Sequence, residues 1–231
     1  MNDTAILIPA RYGSTRFEGK PLCMLDSVPM IKRVYDACIA SKIPTYVLTD
    51  DMRIYNMFGP GKCWIEEESV APYANGTERV AGAVANWDKL NQYNQFINVQ
   101  GDMPDVSIAM IDQVLWHLKH YSVTTVFTDM PVEKQQDPNS VKMVRAGDQA
   151  LWFGRGMTGY GDWHLGIYGY KRNSLEMYSG LEISQEEEVE KLEQLRWLKN
   201  GWQIGVLSVQ YNGVEINSPE DVEEWHSKHF Q

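Results

Sequence analysis

Residues 5–22 read AILIPARYGSTRFEGKPL. Four apolar residues, Ala5, Ile6, Leu7 and Ile8, stop at Pro9. A segment with two glycines, Gly13 and Gly19, and three cations, Arg11, Arg16 and Lys20, follows. The pattern is a buried strand running into a basic, glycine-bearing loop. Such a loop at the carboxyl end of a strand suits a polyphosphate. Glycines let backbone amides approach oxygen, and guanidinium forks and an ammonium neutralise charge. For any one of these residues a solvated surface cation is the simpler reading. Three in ten residues of an acidic protein favour anion binding. Two familiar phosphate loops are excluded by counting. A Walker loop has four residues between its glycines and Ser or Thr after the Lys, whereas here five lie between Gly13 and Gly19 and Pro21 follows Lys20. No G-x-G-x-x-G lies in this loop either.

The 231-residue chain is long enough for one well-buried α/β domain or one domain with a small lobe. Its hydrophobic content of 43% argues against disorder. A formal charge of −10 argues against a nucleic-acid partner, which would need a basic face. Cys23, Cys38 and Cys63 are odd in number and form no C-x-x-C pair, which suits reduced thiols in a cytoplasm better than disulfides or a cysteine-based zinc site. No apolar run is long enough to span a membrane, and the polar start Met1-Asn2-Asp3-Thr4 does not read as a signal peptide.

Beyond the loop, Pro29 opens a helix with Ile31, Val34, Tyr35 and Cys38 on one face. Strands are expected at 46–48 and 63–65, with a helix between them; strand, helix, strand in quick succession favours parallel units. A polar loop over 66–79 leads to a helix burying Val80, Ala83, Val84 and Trp87. The strand Phe96–Val99 then runs into Gln100-Gly101-Asp102-Met103-Pro104, where an open α/β sheet keeps its site. A further helix is expected to turn Ile108, Ile111, Leu115 and Leu118 inward, and 123–127 is the next strand. From there to about 172 shorter β-like runs (141–145, 150–153, 165–170) suggest an antiparallel excursion that serves as a lid, acceptor platform or dimer arm. The last third reads as a helix over 185–199, a strand over 203–209 and a helix capped by Ser218 with Pro219 at its first position.

Asp102 is the strongest candidate metal ligand. A carboxylate beside Gly101 at a strand end can hold Mg²⁺ against phosphate oxygens, and its rival role is capping the helix near Ser107. A second ligand would come from Glu215 or Asn217. His164 lies in an apolar run, where a lone histidine is more often a satisfied core residue than a ligand or base. The run Glu186-Glu187-Glu188-Val189-Glu190 reads as a solvated helix face, with Glu193 and Gln194 on the same helix.

Taken in order, IPARYGSTRFEGKPL, Thr49-Asp50-Asp51, Gly76-Thr77-Glu78-Arg79, NVQGDMP at 98–104, HLGIYGYKR at 164–172, LEQLR at 192–196 and SPEDVE at 218–223 give the chain a resemblance over nearly its whole length. It resembles the 3-deoxy-manno-octulosonate (Kdo) cytidylyltransferases, the CMP-Kdo synthetases. The resemblance implies a single three-layer domain of the nucleotide-diphospho-sugar transferase type, with a mostly parallel sheet and a β-rich dimerisation or lid segment. It also implies a homodimer, CTP and a sugar acid as substrates, and Mg²⁺ as cofactor. The anomeric hydroxyl of the acid would attack the α-phosphorus in line and release pyrophosphate. Arg11, Arg16 and Lys20 would hold the triphosphate, with Gly13, Ser14, Asn75, Gly76, Arg79 and Gln100 also at the nucleotide. Lys20, Arg16 and Asp102 would carry catalysis, and Asp102 and Asn217 the metal. Arg155, His164, Tyr168, Glu193 and Gln194 would surround the sugar acid, with Arg155 a partner for its carboxylate.

Three departures stand out. Tyr73-Ala74-Asn75 replaces the family's His-Gln-Ser, Asn217 stands where the family has an Asp, and only Gly156 to Trp163 remain of a longer acceptor-side segment. A different 2-keto sugar acid therefore stays open as acceptor, as does a nucleotide-binding protein without turnover. A transferase that consumes a nucleotide sugar is disfavoured, because no Asp-x-Asp stands beside a strand end.

Overall fold

A computed structural model describes residues 3–13, 17–67 and 73–230. The first strand, β1 (Thr4–Pro9), is buried along its whole length. Its alternation assigns Ala5 and Leu7 to one hydrophobic cluster and Ile6 and Ile8 to another. Successive side chains of a strand point to opposite faces, so two clusters on one strand mean a sheet covered on both sides.

After a 3-10 turn at Lys20–Leu22, β2 (Met24–Leu25) and β3 (Val28–Pro29) pair as a small hairpin. Asp26 and Ser27 at its tip both have positive φ, the twist that a two-residue hairpin turn requires. Next come α1 (Met30–Ile39), β4 (Thr45–Thr49), α2 (Met52–Phe58), β5 (Cys63–Ile65), α3 (Gly76–Asn86), β6 (Gln95–Val99), α4 (Ile108–His117) and β7 (Val123–Thr128). The chain continues through β8 (Lys142–Ala146), β9 (Gln149–Gly154), β10 (Asp162–Lys171), α5 (Arg172–Tyr178), α6 (Gln185–Glu190), α7 (Gln194–Lys199), β11 (Ile204–Ser208) and α8 (Pro219–His229).

One sheet runs in the order β5-β4-β1-β6-β10-β7-β11-β9-β8. Its β5-β4-β1-β6 half is parallel, as is the β7–β11 pair. Strand β10 is inserted antiparallel between β6 and β7, with a register irregularity between Leu165 and Tyr168. Within the stretch 123–172, β7 and β10 are thus inner strands of the main sheet, and the β8–β9 hairpin forms its far edge.

Two helical expectations are corrected. The segment 185–199 is two short helices, because Lys191 adopts a left-handed conformation at the end of α6 and turns the chain. Helix α4 buries Met110, Ile111, Val114 and His117, while Ile108 is exposed. Leu118, just beyond its end, is buried, and Leu115 packs only partly. By contrast, α1 buries the expected stripe, and Ser218 caps α8 in a capping box with Asp221.

Candidate active site

Strands β1 and β6 are neighbours, so the segments leaving their carboxyl ends meet at the mouth of a cleft of about 550 Å³. There Lys20 Nζ donates to Asp102 Oδ2 at 2.7 Å, and Arg11 lines the same wall. Asp102 does not cap α4. Ser107 does, accepting from the Met110 amide.

The basic loop is closed at its base. Gly19 N–H donates to the Tyr12 carbonyl, and Tyr12 N–H donates to Asp50 Oδ1 at 2.9 Å. Arg53 stacks over the Tyr12 ring at 3.4 Å. Gly19 has φ +68°, and a Cβ there would lie 3.0 Å from the Tyr12 hydroxyl, so ring contact and backbone conformation both require glycine. Gly13 is exposed and does not line the cleft, and Ser14 and Arg16 lie outside the described residues.

Gln100 is set by two glycines. An added Cβ would meet its side chain at 3.0 Å from Gly76 and at 2.7 Å from Gly166. Asn75 is the N-cap of α3, its side-chain oxygen accepting from Glu78 N–H at 2.8 Å. The same helix end faces Glu193, whose carboxylate accepts from Thr77 N–H at 3.1 Å and Thr77 Oγ1 at 3.0 Å. Burial raises the Glu193 carboxyl above its ordinary range, opposed by these bonds. Arg79 pairs with Glu66 and lies 3.8 Å from Asp50, so its charge ties α3 to the ends of β4 and β5.

Elsewhere along the cleft, Arg155 braces the wall. Its backbone N–H donates to Glu190 Oε2 at 2.8 Å, and its guanidinium donates to the Glu190 and Asn139 carbonyls. The buried Lys142 supports it from beneath, donating to the carbonyls of Asp137 and Arg155. His164 is buried, with Nε2 at 3.0 Å from Thr125 Oγ1. The Thr125 hydroxyl gives its one proton to the Ile167 carbonyl at 2.8 Å, so Nε2 carries the histidine proton and Nδ1 is the acceptor. Burial, helped by Arg155, pushes His164 down to about 3 and keeps the ring neutral. His164 is thus a core histidine bonded through Nε2, with an edge on the cleft. Tyr168 is buried alongside it. Gln194 is buried and lines the cleft, and its Nε2 has no partner among the described residues.

The extended segment after β11 closes the floor. Ile216 N–H donates to the Asp102 carbonyl at 3.0 Å, and Glu215 and Asn217 on either side of Ile216 both line the cleft. Burial and the neighbouring Asp102 push Glu215 up to about 8. The Asp102 carboxylate, the Glu215 carboxyl and the Asn217 amide carbonyl all line the cleft and offer oxygen donors, which fits a hard divalent cation. Among the described residues no group of three or more His, Cys, Asp or Glu could hold a metal, so such an ion would take its remaining ligands from water and phosphate.

The acidic run on α6 departs from expectation. Glu187 is buried and binds Arg196 through Nε and Nη2, and Arg196 also reaches Glu78 at 2.9 Å. The nine-residue spacing from Glu187 to Arg196 carries no sequence signal, because it spans the break at Lys191.

The cytidylyltransferase family model matches residues 5–204. The chain is 39% identical to the 3-deoxy-manno-octulosonate cytidylyltransferase of Thermodesulfovibrio yellowstonii, with 95% of each chain covered. It belongs to the 3-deoxy-manno-octulosonate cytidylyltransferase family. The 8-amino-3,8-dideoxy-manno-octulosonate cytidylyltransferase of Shewanella pealeana is similar at 37% identity, covering 96% of both chains. Among solved structures, a CMP:2-keto-3-deoxy-manno-octonic acid synthetase complexed with CTP superposes with a TM-score of 0.85 at 30% identity, over 97% of each chain. The family's fold therefore extends through the region where Tyr73-Ala74-Asn75, Asn217 and the short 156–163 segment depart from the usual pattern.

Proposed function

We propose that this chain is an enzyme that transfers CMP from CTP to the anomeric hydroxyl of Kdo or a closely related sugar acid, releasing pyrophosphate. The observation that carries this reading is the pairing of Lys20 with Asp102 where β1 and β6 end, a cation and an anion at one mouth of a family cleft. Arg11 and Lys20 offer positive charge to the triphosphate, and Gln100 with the Asn75–Gly76 start of α3 flanks the nucleoside. Gln194, Tyr168 and the neutral His164 present one unpaired donor and hydrogen-bonding edges to the acid's hydroxyls. The hydroxyl oxygen bonds the α-phosphorus as the bond from that phosphorus to the oxygen bridging to the β-phosphate breaks; pyrophosphate leaves and the hydroxyl proton passes to solvent, so positioning and charge neutralisation supply the rate without a covalent enzyme intermediate.

Asp102 and Asn217, with Glu215 beside them, are the residues that would hold Mg²⁺. When bound, the ion neutralises phosphate charge and orients the α-phosphorus. The same reading carries a homodimer working in the cytoplasm. Among the described residues no helix is long and apolar enough to cross a membrane. Phosphorus NMR of the protein with CTP, Mg²⁺ and Kdo tests the reaction. A new phosphodiester resonance together with pyrophosphate is expected, and CMP plus pyrophosphate with no diester would overturn the assignment.

A further inference from the structure

The turn after Asp102 holds a carboxylate to which none of the roles above applies. Asp105 Oδ2 accepts from Val214 N–H at 2.9 Å, and Oδ1 accepts from the Trp225 indole N–H at 3.0 Å. His229 Nε2 lies 3.0 Å from the same Oδ1. We propose that Asp105 is a positioning residue that sets the Glu215–Asn217 edge of the cleft against Asp102.

The geometry is a two-rung ladder. Val214 N–H reaches the Asp105 side chain and Ile216 N–H reaches the Asp102 carbonyl, so Glu215 is held between two fixed amides and Asn217 follows directly. The approach is close: a Cβ added at Gly213 would lie 2.5 Å from the Asp105 Cβ. The third donor brings in α8. Trp225 stacks on His229 at 4.2 Å, lies under the Arg33 guanidinium at 4.9 Å, and packs with Leu25, Met30, Val214 and Ile216. That small cluster joins the β2–β3 hairpin, which follows the basic loop, to the extended segment carrying Glu215. Bonds to an ionised acceptor are the strong ones, and Asp105 gathers these elements on a single carboxylate. A one-ångström displacement of a ligand-bearing edge is enough to spoil a site, so the clamp acts on the cation site while touching neither substrate.

This inference rests on the metal-dependent reading above, and the test separates the two. CTP binding to the full chain is measured calorimetrically with and without Mg²⁺, for the wild type, Asp105→Asn and Asp105→Ala. Asparagine keeps one acceptor oxygen but turns an N–H₂ toward a donor. In both variants CTP affinity without Mg²⁺ is expected to stay within about twofold of wild type. The strengthening of CTP binding by Mg²⁺ is expected to fall about tenfold. Folded variants with undiminished Mg²⁺ enhancement overturn the proposal. So does a proportionate loss of metal-free binding, which would mark Asp105 as a general structural residue. If both variants fail to fold, Trp225→Phe keeps an aromatic ring there and removes one donor. It must lose about threefold of the Mg²⁺ enhancement, and an unchanged value overturns the clamp. A wild-type protein whose CTP binding ignores Mg²⁺ overturns the metal reading itself, and this inference with it, before any variant is compared.

Discussion

Lys20 Nζ and Asp102 Oδ2 lie 2.7 Å apart, bridging the segments that leave β1 and β6. The ammonium occupies the carboxylate that a cation would use, and it must turn to phosphate when one binds. Lys20→Met is therefore expected to bind Mn²⁺, read by electron paramagnetic resonance without nucleotide, at least as tightly as wild type. Its turnover is expected to fall about 10²-fold, as for loss of a charge-stabilising group. Weaker Mn²⁺ binding with normal turnover would contradict this exchange.

Asp102→Asn removes the charge and keeps the backbone carbonyl that receives the Ile216 amide. The Lys20–Asp102 pair is partly exposed, so its loss is expected to cost no more than about 1 kcal/mol in denaturant unfolding. Turnover is expected to be abolished. Near-normal activity at limiting Mg²⁺ would remove Asp102 from the metal.

Gly166 leaves room for Gln100. A Cβ would sit 2.7 Å from Gln100 Cγ in Gly166→Ala, so the glutamine side chain must move. The expected result is a rise of about tenfold in KM for CTP, with a smaller change in kcat and an overpacking penalty of about 1–3 kcal/mol. Initial-rate kinetics beside thermal unfolding read both. A stability loss with unchanged KM for CTP would show that Gln100 does not serve the nucleotide.

His164 is held neutral, pushed down to about 3 by burial and by Arg155. In the unfolded chain it takes up a proton near pH 6.5. As pH falls from about 6.5 toward 3 the unfolded state binds a proton that the folded state refuses, so this contribution to stability is present above 6.5 and lost below it. Its slope approaches about 1.4 kcal/mol per pH unit within that window. Denaturant unfolding at pH 7, 6 and 5 should show a shallower acid loss in His164→Gln than in wild type. Equal slopes would mean that His164 protonates in the folded state.

The parallel core was legible because it is local. Ala5 to Ile8 alternate between two buried clusters, α1 carries a clean stripe, and Gly101-Asp102 follows a strand. The place of β10 was not legible, because nothing in DWHLGIYGYK says that it inserts between β6 and β7; that is decided by long-range pairing. Glu187 reads as one of several solvated acids until the turn at Lys191 brings Arg196 onto it. Asp105 has no motif of its own. Its role arises only when Val214, Trp225 and His229, all more than a hundred positions away, fold onto it. Cleft residues on strand ends were therefore found from sequence, and the residues that brace them were not.

Pyrophosphate release with CTP, Mg²⁺ and a panel of sugar acids tests the central claim most directly. The panel is Kdo, its 8-amino-8-deoxy analogue and a nine-carbon 2-keto acid. Release that requires CTP, Mg²⁺ and one of the eight-carbon acids together, in equal amount to the acid consumed, is the predicted result. Intact CTP binding with no release for any acid would contradict it.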